Sequence, residues 1–546
     1  MTDRPLSPET LLSDSGRSRG ASKGGLLRRA IQVFGVAFRR ILLPWLARRS
    51  EPPAARRVQE ALEELGGTWV KLGQALALRF DILPADYCLQ FFQLLNQVRP
   101  FPAREVRSIV ERELGGSVET LFRSFTWEPL AAASIGQVHR AELPDGTAVA
   151  VKVQRPGIRG LVRADLRLMR WLAALVDATR LFGSTRARDI VEEFSRWTEE
   201  ELDYRIEARH ATVLRRNAEG EPIERNPRVF PRYTSERVLT LEYLGGICVL
   251  DIVTAIRNKD SVFLEKLAAQ GHDKRRIASH IVWNALNQIY RIGYFHADPH
   301  PANLFVLPGD EIGYVDFGIV GKLDDETTDA LRYFAQSLFA GHVGRAVDVF
   351  LRFLTPSRRT DPAAARRDLV EAMNNYLESA RVGPEGFSLS EDIFEIEMLE
   401  VVRKNSMALA PDVVRYLKAV LTAEAMVKEL DPDFDLRAHE NRFFRRLMRM
   451  EAAEGLTLRN AGQWLLDARF RFGRLLESLE SVRETPGRVI DVARDVRRRV
   501  QAFSVLTMLG WIAVLLALWT TPARGGSHLF GYSFRTLALV GALVSL

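Results

Sequence analysis

Three polar residues in the second half of the chain have the spacing of a phosphate-handling site. The run His296-Ala297-Asp298-Pro299-His300-Pro301-Ala302-Asn303 puts an Asp five residues before an Asn. Leu304–Leu307, a Pro308-Gly309-Asp310 turn and Tyr314-Val315-Asp316-Phe317-Gly318 follow. A loop with this spacing can offer the Asp298 carboxylate to a hydroxyl or water as general base. It offers the Asn303 amide oxygen to Mg²⁺, and a hairpin then returns Asp316 as second metal ligand. His296 and His300 could form a metal pair, but no third ligand is evident, and a scaffold role in the loop suits His296 better.

A second group lies upstream. In Val138–Val153 two alternating stretches flank Pro144-Asp145-Gly146, the turn chemistry of a β-hairpin. Lys152 sits among Val149, Val151 and Val153. An ammonium there calls for an acidic partner, unless the strand is an edge and Lys152 lies in solvent. The acidic run around Glu192–His210 supplies candidates: Glu200, Asp203 and Glu207 recur at three- and four-residue steps, which predicts one shared helix face. Such runs are usually solvated faces, but Lys152 needs a carboxylate, and a kinase supplies one from the helix after its lysine strand.

These residues need a small mixed lobe carrying the lysine strand and a larger helical lobe carrying the loop. The patterning supplies that order: strands, turn and helices over about 121–246, then a mainly helical stretch broken by a strand–turn–strand passage near 304–315. The predicted class is α+β, a protein-kinase-like two-lobed fold. At 546 residues the chain exceeds one ordinary core. The predicted parts are a disordered and basic amphipathic segment (1–55), a helical extension (56–120), the small lobe (121–246), the large lobe (247–460), a helical linker (461–502) and a transmembrane hairpin (503–546).

Composition sets the surroundings. The chain is 47% apolar and 27% charged with net charge +7, a globular balance with a basic bias. Cys88 and Cys248 are its two cysteines, so a disulfide framework or zinc site is excluded and a reducing compartment fits. Arg28, Arg29, Arg39, Arg40, Arg48 and Arg49 alternate with apolar runs. That reads as a basic amphipathic stretch for a membrane surface rather than for nucleic acid, whose recognition motifs are lacking. The alternative is a helix packed on the protein's own body. Phe503–Thr520 is uncharged and nearly long enough to span a bilayer, and Phe534–Leu546 is apolar apart from Arg535. Arg494, Arg497, Arg498 and Arg499 precede the first span, which predicts the body on the cytoplasmic side of the inner membrane.

Together these features resemble the UbiB (ADCK or AarF) family of atypical kinase-like proteins over roughly residues 55–460. Trp69-Val70-Lys71-Leu72-Gly73-Gln74 is similar to that family's KxGQ motif, and Glu201-Leu202-Asp203 to its ExD motif, which implies that Glu207 is the catalytic helix glutamate that pairs with Lys152. Ala131-Ala132-Ala133-Ser134-Ile135-Gly136-Gln137-Val138 resembles its Ala-rich nucleotide loop, which stands where protein kinases have glycines. The resemblance implies that Ala131, Ala132, Ala133, Ser134, Ile135, Gly136 and Val138, with Lys152, surround ATP or ADP. It also implies that Lys71 and Gln74 reach the site and pair with Glu201 or Asp203, partly closing the place of a peptide. Alanines stiffen the loop and limit backbone approach to phosphates. No A-P-E segment follows Asp316-Phe317-Gly318, and Ala297 replaces the Arg of protein kinases.

The expected function is an atypical kinase or ATPase using nucleotide and Mg²⁺ at the membrane in support of ubiquinone or related quinone synthesis. Expected partners are lipid, a quinone precursor and quinone-synthesis proteins, with no nucleic acid; a homodimer is compatible with this. Two rivals are a pseudokinase scaffold and a small-molecule kinase of the aminoglycoside or choline type, though the latter leaves Lys71–Gln74 and the terminal hairpin unexplained.

Overall fold

The computed structural model describes residues 23–47, residues 53–455 apart from 78, 80–81, 92, 95–98, 180–185, 358 and 383–391, and the short stretches 528–529 and 532–533. The chain divides into two compact units, 1–447 and 448–546. The expected hairpin at 503–546 and linker at 461–502 lie outside the described residues, except for an antiparallel pair, His528–Leu529 with Tyr532–Ser533. Among the described residues no helix is long and apolar enough to cross a membrane.

The first unit begins with helices α1 (Lys23–Ala37), α2 (Ala54–Leu65), α3 (Gly67–Leu76) and α4 (Ala103–Leu114). An antiparallel sheet follows, built from β1 (Ser124–Phe125), β2 (Ala131–Ala132), β3 (Gly136–Glu142), β4 (Ala148–Gln154) and, later in the chain, β6 (Val238–Glu242). Its order is β1-β3-β4-β6, with β2 also pairing β3. The two-residue period of β4 separates its faces. Val149, Val151 and Val153 are fully buried against Val106, Ile109 and Val110 of α4, with Phe101 and Phe122. Lys152 takes the opposite face, in register with Val138 on β3 and Leu239 on β6.

Helices α5 (Ile158–Thr179), α6 (Ala187–Glu200) and α7 (Tyr204–Asn217) lie between β4 and β6 in sequence. The acidic run is not one helix. α6 ends at Glu200, and Asp203 starts α7 as its N-cap, accepting from Arg205 N–H. Glu200 and Glu207 therefore belong to different helices, because a capping Asp competes with continued helix.

The larger helical part contains α8 (Val249–Arg257), α9 (Lys274–Leu286), α10 (Asp325–Phe339), α11 (Pro411–Leu430) and α12 (Leu436–Gly455). Between α9 and α10 run β8 (Tyr294–His296), β9 (Leu304–Val306), β10 (Ile312–Tyr314) and β11 (Val320–Lys322). β9 and β10 form a hairpin whose sheet is completed by β5 (Glu224–Arg225) and β7 (Ile247–Cys248), in the order β5-β10-β9-β7. Asp310, fully buried at the hairpin turn, is tied to α9: its carboxylate receives Arg276 Nε at 2.5 Å and lies 2.6 Å from His272 Nδ1.

The basic stretch at the N-terminus packs on the protein's own body through Arg29 and keeps Arg28, Arg39 and Arg40 exposed. Arg29 pairs with the fully buried Asp165 of α5 at 2.7 Å, Arg39 with Glu64 at 2.5 Å, and Arg40 with Glu60 at 2.9 Å. Val33 and Val36 are buried, while Leu27, Ile31, Phe34 and Phe38 are exposed. Arg29 reaches a carboxylate on α5, Arg39 and Arg40 just past α1 reach carboxylates on α2, and the surface of α1 carries apolar side chains together with Arg28. Arg48 and Arg49 lie outside the described residues.

Candidate active site

Lys152 is the hub of the site. Its Nζ donates to Glu207 Oε1 at 2.7 Å and Oε2 at 3.0 Å, and lies 3.4 Å from Asp316 Oδ2. Tyr204, buried one helical turn before Glu207, sets its ring 5.4 Å from the same ammonium. Burial alone would push the ammonium down, but Asp316 and Glu207 outweigh it and hold Lys152 well above the ordinary lysine value. The two acids sharing it diverge. Burial raises the Glu207 carboxyl despite the pull of Lys152, and the like charge of Asp316 adds to that rise. Asp316 is held down at about 2: burial opposes this, but Lys152, the Gly318 N–H and Lys71 outweigh it. With 45% of its side chain open, Asp316 is also the acid water can stabilise.

α7 holds the Asp316 loop by its backbone as well. Glu207 Oε1 accepts Phe317 N–H at 3.3 Å, and His210 Nδ1 donates to Phe317 O at 3.0 Å. Glu207 and His210 lie three apart on α7, so one helix face reads both ends of the Phe317 peptide. Asp316 itself has φ 60°, a left-handed conformation uncommon for a side-chain-bearing residue. Strain of this kind persists where surroundings over-determine it, and it collects at functional sites.

His296 is the scaffold of the catalytic loop. Its Nε2 donates to Asp316 O at 2.7 Å, so its Nδ1 is the acceptor that receives Asp298 N–H at 3.3 Å. Burial keeps the ring below the ordinary histidine value, which fits that neutral tautomer. One imidazole thus sets the distance between the loop of Asp298 and the loop of Asp316. Gln288 accepts His296 N–H at 2.9 Å and donates to Glu224 at 2.8 Å, a further buried layer.

Asn303 Nδ2 donates to Asp298 O at 3.1 Å, and Val315 N–H donates to Asn303 O at 2.9 Å. The β9–β10 register, Leu304 opposite Tyr314, is what brings Asn303 alongside the strand that leads into Asp316. The donor set fits a hard divalent cation: a carboxylate on Asp316, and an amide oxygen on Asn303 whose amide nitrogen is already engaged. Among the described residues no group of three or more His, Cys, Asp or Glu could hold a metal alone.

The nucleotide loop runs from β2 into β3. Ala131 pairs with Val138 and Ala132 with Gln137, Ala133 N–H donates to Gly136 O at 2.8 Å, and Ser134 and Ile135 are buried at the bend. A Cβ on Gly136 would collide with Tyr204 Oη and Val153 O, so no larger residue fits between β4 and α7.

Lys71 on α3 forms an ion pair with Glu201, and the Cβ of a residue at Gly318 would lie 4.0 Å from Glu201 Cγ. The pair therefore stands beside the Asp316 loop. Gln74 does not join it. Its Nε2 donates to Leu94 O at 3.1 Å, one turn of α3 away from Lys71, and Asp203 pairs with Arg205 at 2.8 Å. Asp203 is committed to capping α7, which withdraws it from Lys71.

Sequence reasoning missed four residues here. His210 was accessible through its spacing from Glu207. Tyr204, Gln288 and Lys418, whose Nζ lies 2.9 Å from Asp298 Oδ1, carry no local signal.

A family model described as the ABC1 atypical kinase-like domain matches residues 93–349. The chain is 34% identical over 417 residues to the probable protein kinase UbiB of Marinobacter nauticus, covering 75% of this chain and 73% of that one. It is 31% identical over 521 residues to the protein of the same name from Azotobacter vinelandii, covering 89% and 88%. The Synechocystis protein sll1770 is 34% identical over 398 residues, 72% of this chain and 65% of that one. A solved structure, the Rv3197–erythromycin complex from Mycobacterium tuberculosis, aligns over 73% of this chain and 98% of that one. With 23% identity and a TM-score of 0.49, that likeness is too loose to argue from.

Proposed function

The chain belongs to the UbiB group of ABC1 atypical kinase-like proteins, and on that premise we propose that it is a nucleotide-driven enzyme, an ATPase or small-molecule phosphotransferase, acting at a membrane in support of ubiquinone or related isoprenoid-quinone synthesis. The observation that carries the reading is Lys152 held between Glu207 and Asp316, beside the loop that bears Asp298 and Asn303. Lys152 would contact the α- and β-phosphates, oriented by Glu207. Asn303 and Asp316 would hold Mg²⁺, which supplies charge neutralisation at the phosphates. Asp298 would take the proton of the attacking hydroxyl or water.

The Lys71–Glu201 pair beside Gly318 supports a restricted acceptor. It occupies ground beside the loop of Asp316, which limits the room for a bulky acceptor. The exposed apolar side chains Leu27, Ile31 and Phe34 of α1, with Arg28 exposed among them, support attachment at a bilayer boundary. The hairpin expected at 503–546 would add a second anchor on the same membrane.

Purified protein with phospholipid vesicles should release phosphate from ATP in a Mg²⁺-dependent way. Asp316→Asn should abolish turnover with the fold intact, because Asn tolerates the left-handed backbone that Asp316 adopts. Full turnover by Asp316→Asn would overturn the mechanism. Tight nucleotide binding with no phosphate release by the wild type would favour a scaffold.

A further inference from the structure

The candidate base has a cationic partner that its own loop does not provide. Between Asp298 and Asn303 the loop reads Pro299-His300-Pro301-Ala302, with no lysine or arginine. His300 does not substitute. Burial holds its imidazole below the ordinary histidine value, and its Nδ1 accepts Ala302 N–H at 3.2 Å, spending the lone pair on the loop's own turn. The cation arrives from α11 instead, where Lys418 Nζ lies 2.9 Å from Asp298 Oδ1.

α11 is a rigid mount for that lysine. Tyr416 is buried and its hydroxyl bonds to that of Tyr290 at 2.7 Å, while Ala419 and Ala423 pack into the core. Arg415 lies over the Trp197 ring of α6 at 5.2 Å. The Lys418 and Asp298 side chains are 27% and 35% exposed, and a pair that open contributes little to stability. Folding therefore gives little reason for a lysine here, and its contact with the base gives a better one.

We propose that Lys418 is a positioning residue for phosphoryl transfer, an inference that rests on the enzymatic reading above. Lys418 pins Oδ1 of Asp298 and leaves Oδ2 to face the acceptor. The acceptor O–H proton passes to Oδ2 as the new oxygen–phosphorus bond forms. The bond from the γ-phosphorus to the bridging oxygen breaks, and its electron pair leaves on the nucleoside diphosphate. The ammonium stays beside the charge that gathers during this exchange.

The test is steady-state ATP hydrolysis by the full chain with vesicles, alongside ADP binding and thermal unfolding. Lys418→Met should lower kcat roughly 10- to 100-fold, as expected for a misplaced reacting group, with KM for ATP, ADP affinity and melting temperature unchanged. Lys418→Arg should restore most of kcat. In an Asp298→Ala background Lys418→Met should cause no further loss, since it acts through Asp298. Wild-type kcat in Lys418→Met, or an undiminished effect in the Asp298→Ala background, would overturn the inference and leave the enzymatic reading standing. A wild type that binds nucleotide without turnover would overturn both.

Discussion

Replacing Glu207 with Gln asks whether Lys152 is held by two acids or effectively by one. Glu207 is the enclosed member of the trio, its side chain 6% exposed against 16% for Lys152 and 45% for Asp316. It accepts both contacts from Lys152 and one from Phe317 N–H. Gln keeps the volume and one acceptor oxygen but loses the charge. Breaking a buried ion pair costs about 3–5 kcal/mol when the remaining charge is stranded. Lys152 is not stranded, because Asp316 remains 3.4 Å away. The expected cost is therefore nearer 2 kcal/mol, roughly 2 °C of melting temperature for a unit of this size. The larger effect is redistribution. With Glu207 neutral, Lys152 leans on Asp316 and competes with a divalent cation for the same carboxylate. Half-saturating Mg²⁺ for nucleotide binding should rise roughly tenfold, about 1.4 kcal/mol of competition. The assay is nucleotide binding titrated with Mg²⁺, in parallel with thermal unfolding. Glu207→Ala should lose more stability, since Phe317 N–H then loses its acceptor. A Glu207→Gln protein with lowered melting temperature but unchanged Mg²⁺ requirement would refute the shared-lysine argument.

Two further outcomes follow from groups outside the site. Arg29→Ala leaves the fully buried Asp165 without its 2.7 Å partner, which should cost about 3 kcal/mol and make α1 the first segment cleaved in limited proteolysis; an unchanged cleavage order would refute it. Glu424, buried on α11, has its carboxyl raised to about 8 by burial against the pull of Lys428. A folded value above the unfolded 4.5 gives stability that is complete below pH 4.5 and lost as pH rises through about 8. Moving from pH 6 to 8 should cost about 2 kcal/mol from this group, read as a falling urea midpoint, with Glu224, lifted to about 7 by burial, adding its share. Glu424→Gln should flatten that slope, and an unaltered slope would sink the assignment.

Much of the site was legible because its chemistry is written locally. Asp298 and Asn303 share one loop, and the Pro308-Gly309-Asp310 turn returns the chain to Asp316, so spacing alone implies proximity. The alternation of the strand set Lys152 among its valines, and the need of an enclosed ammonium for a counter-charge pointed to the acidic run, from which the UbiB resemblance picked Glu207. The UbiB resemblance likewise rests on contiguous motifs. Where local patterns were ambiguous, packing decided. The acidic run continues a helical rhythm through Glu201–Asp203, yet Asp203 gains more as a cap, and the chain turns there. Gln74 has the spacing to join Lys71 but is satisfied by Leu94 O. The basic pairs of the N-terminal stretch read as lipid-facing, yet Asp165 pairs with Arg29 while Glu64 and Glu60 pair with Arg39 and Arg40 just past α1.

The sequence by itself determined which atoms could do the chemistry, since residue type and short-range spacing are properties of the chain. Tertiary structure alone decided which atom each of them touches. His296 bridging two loops, His210 reading Phe317 and Lys418 reaching Asp298 from α11 all depend on elements brought together by burial of apolar faces. That driving force is non-directional. It can hold a lysine beside a carboxylate far along the chain while leaving no pattern in the residues around either.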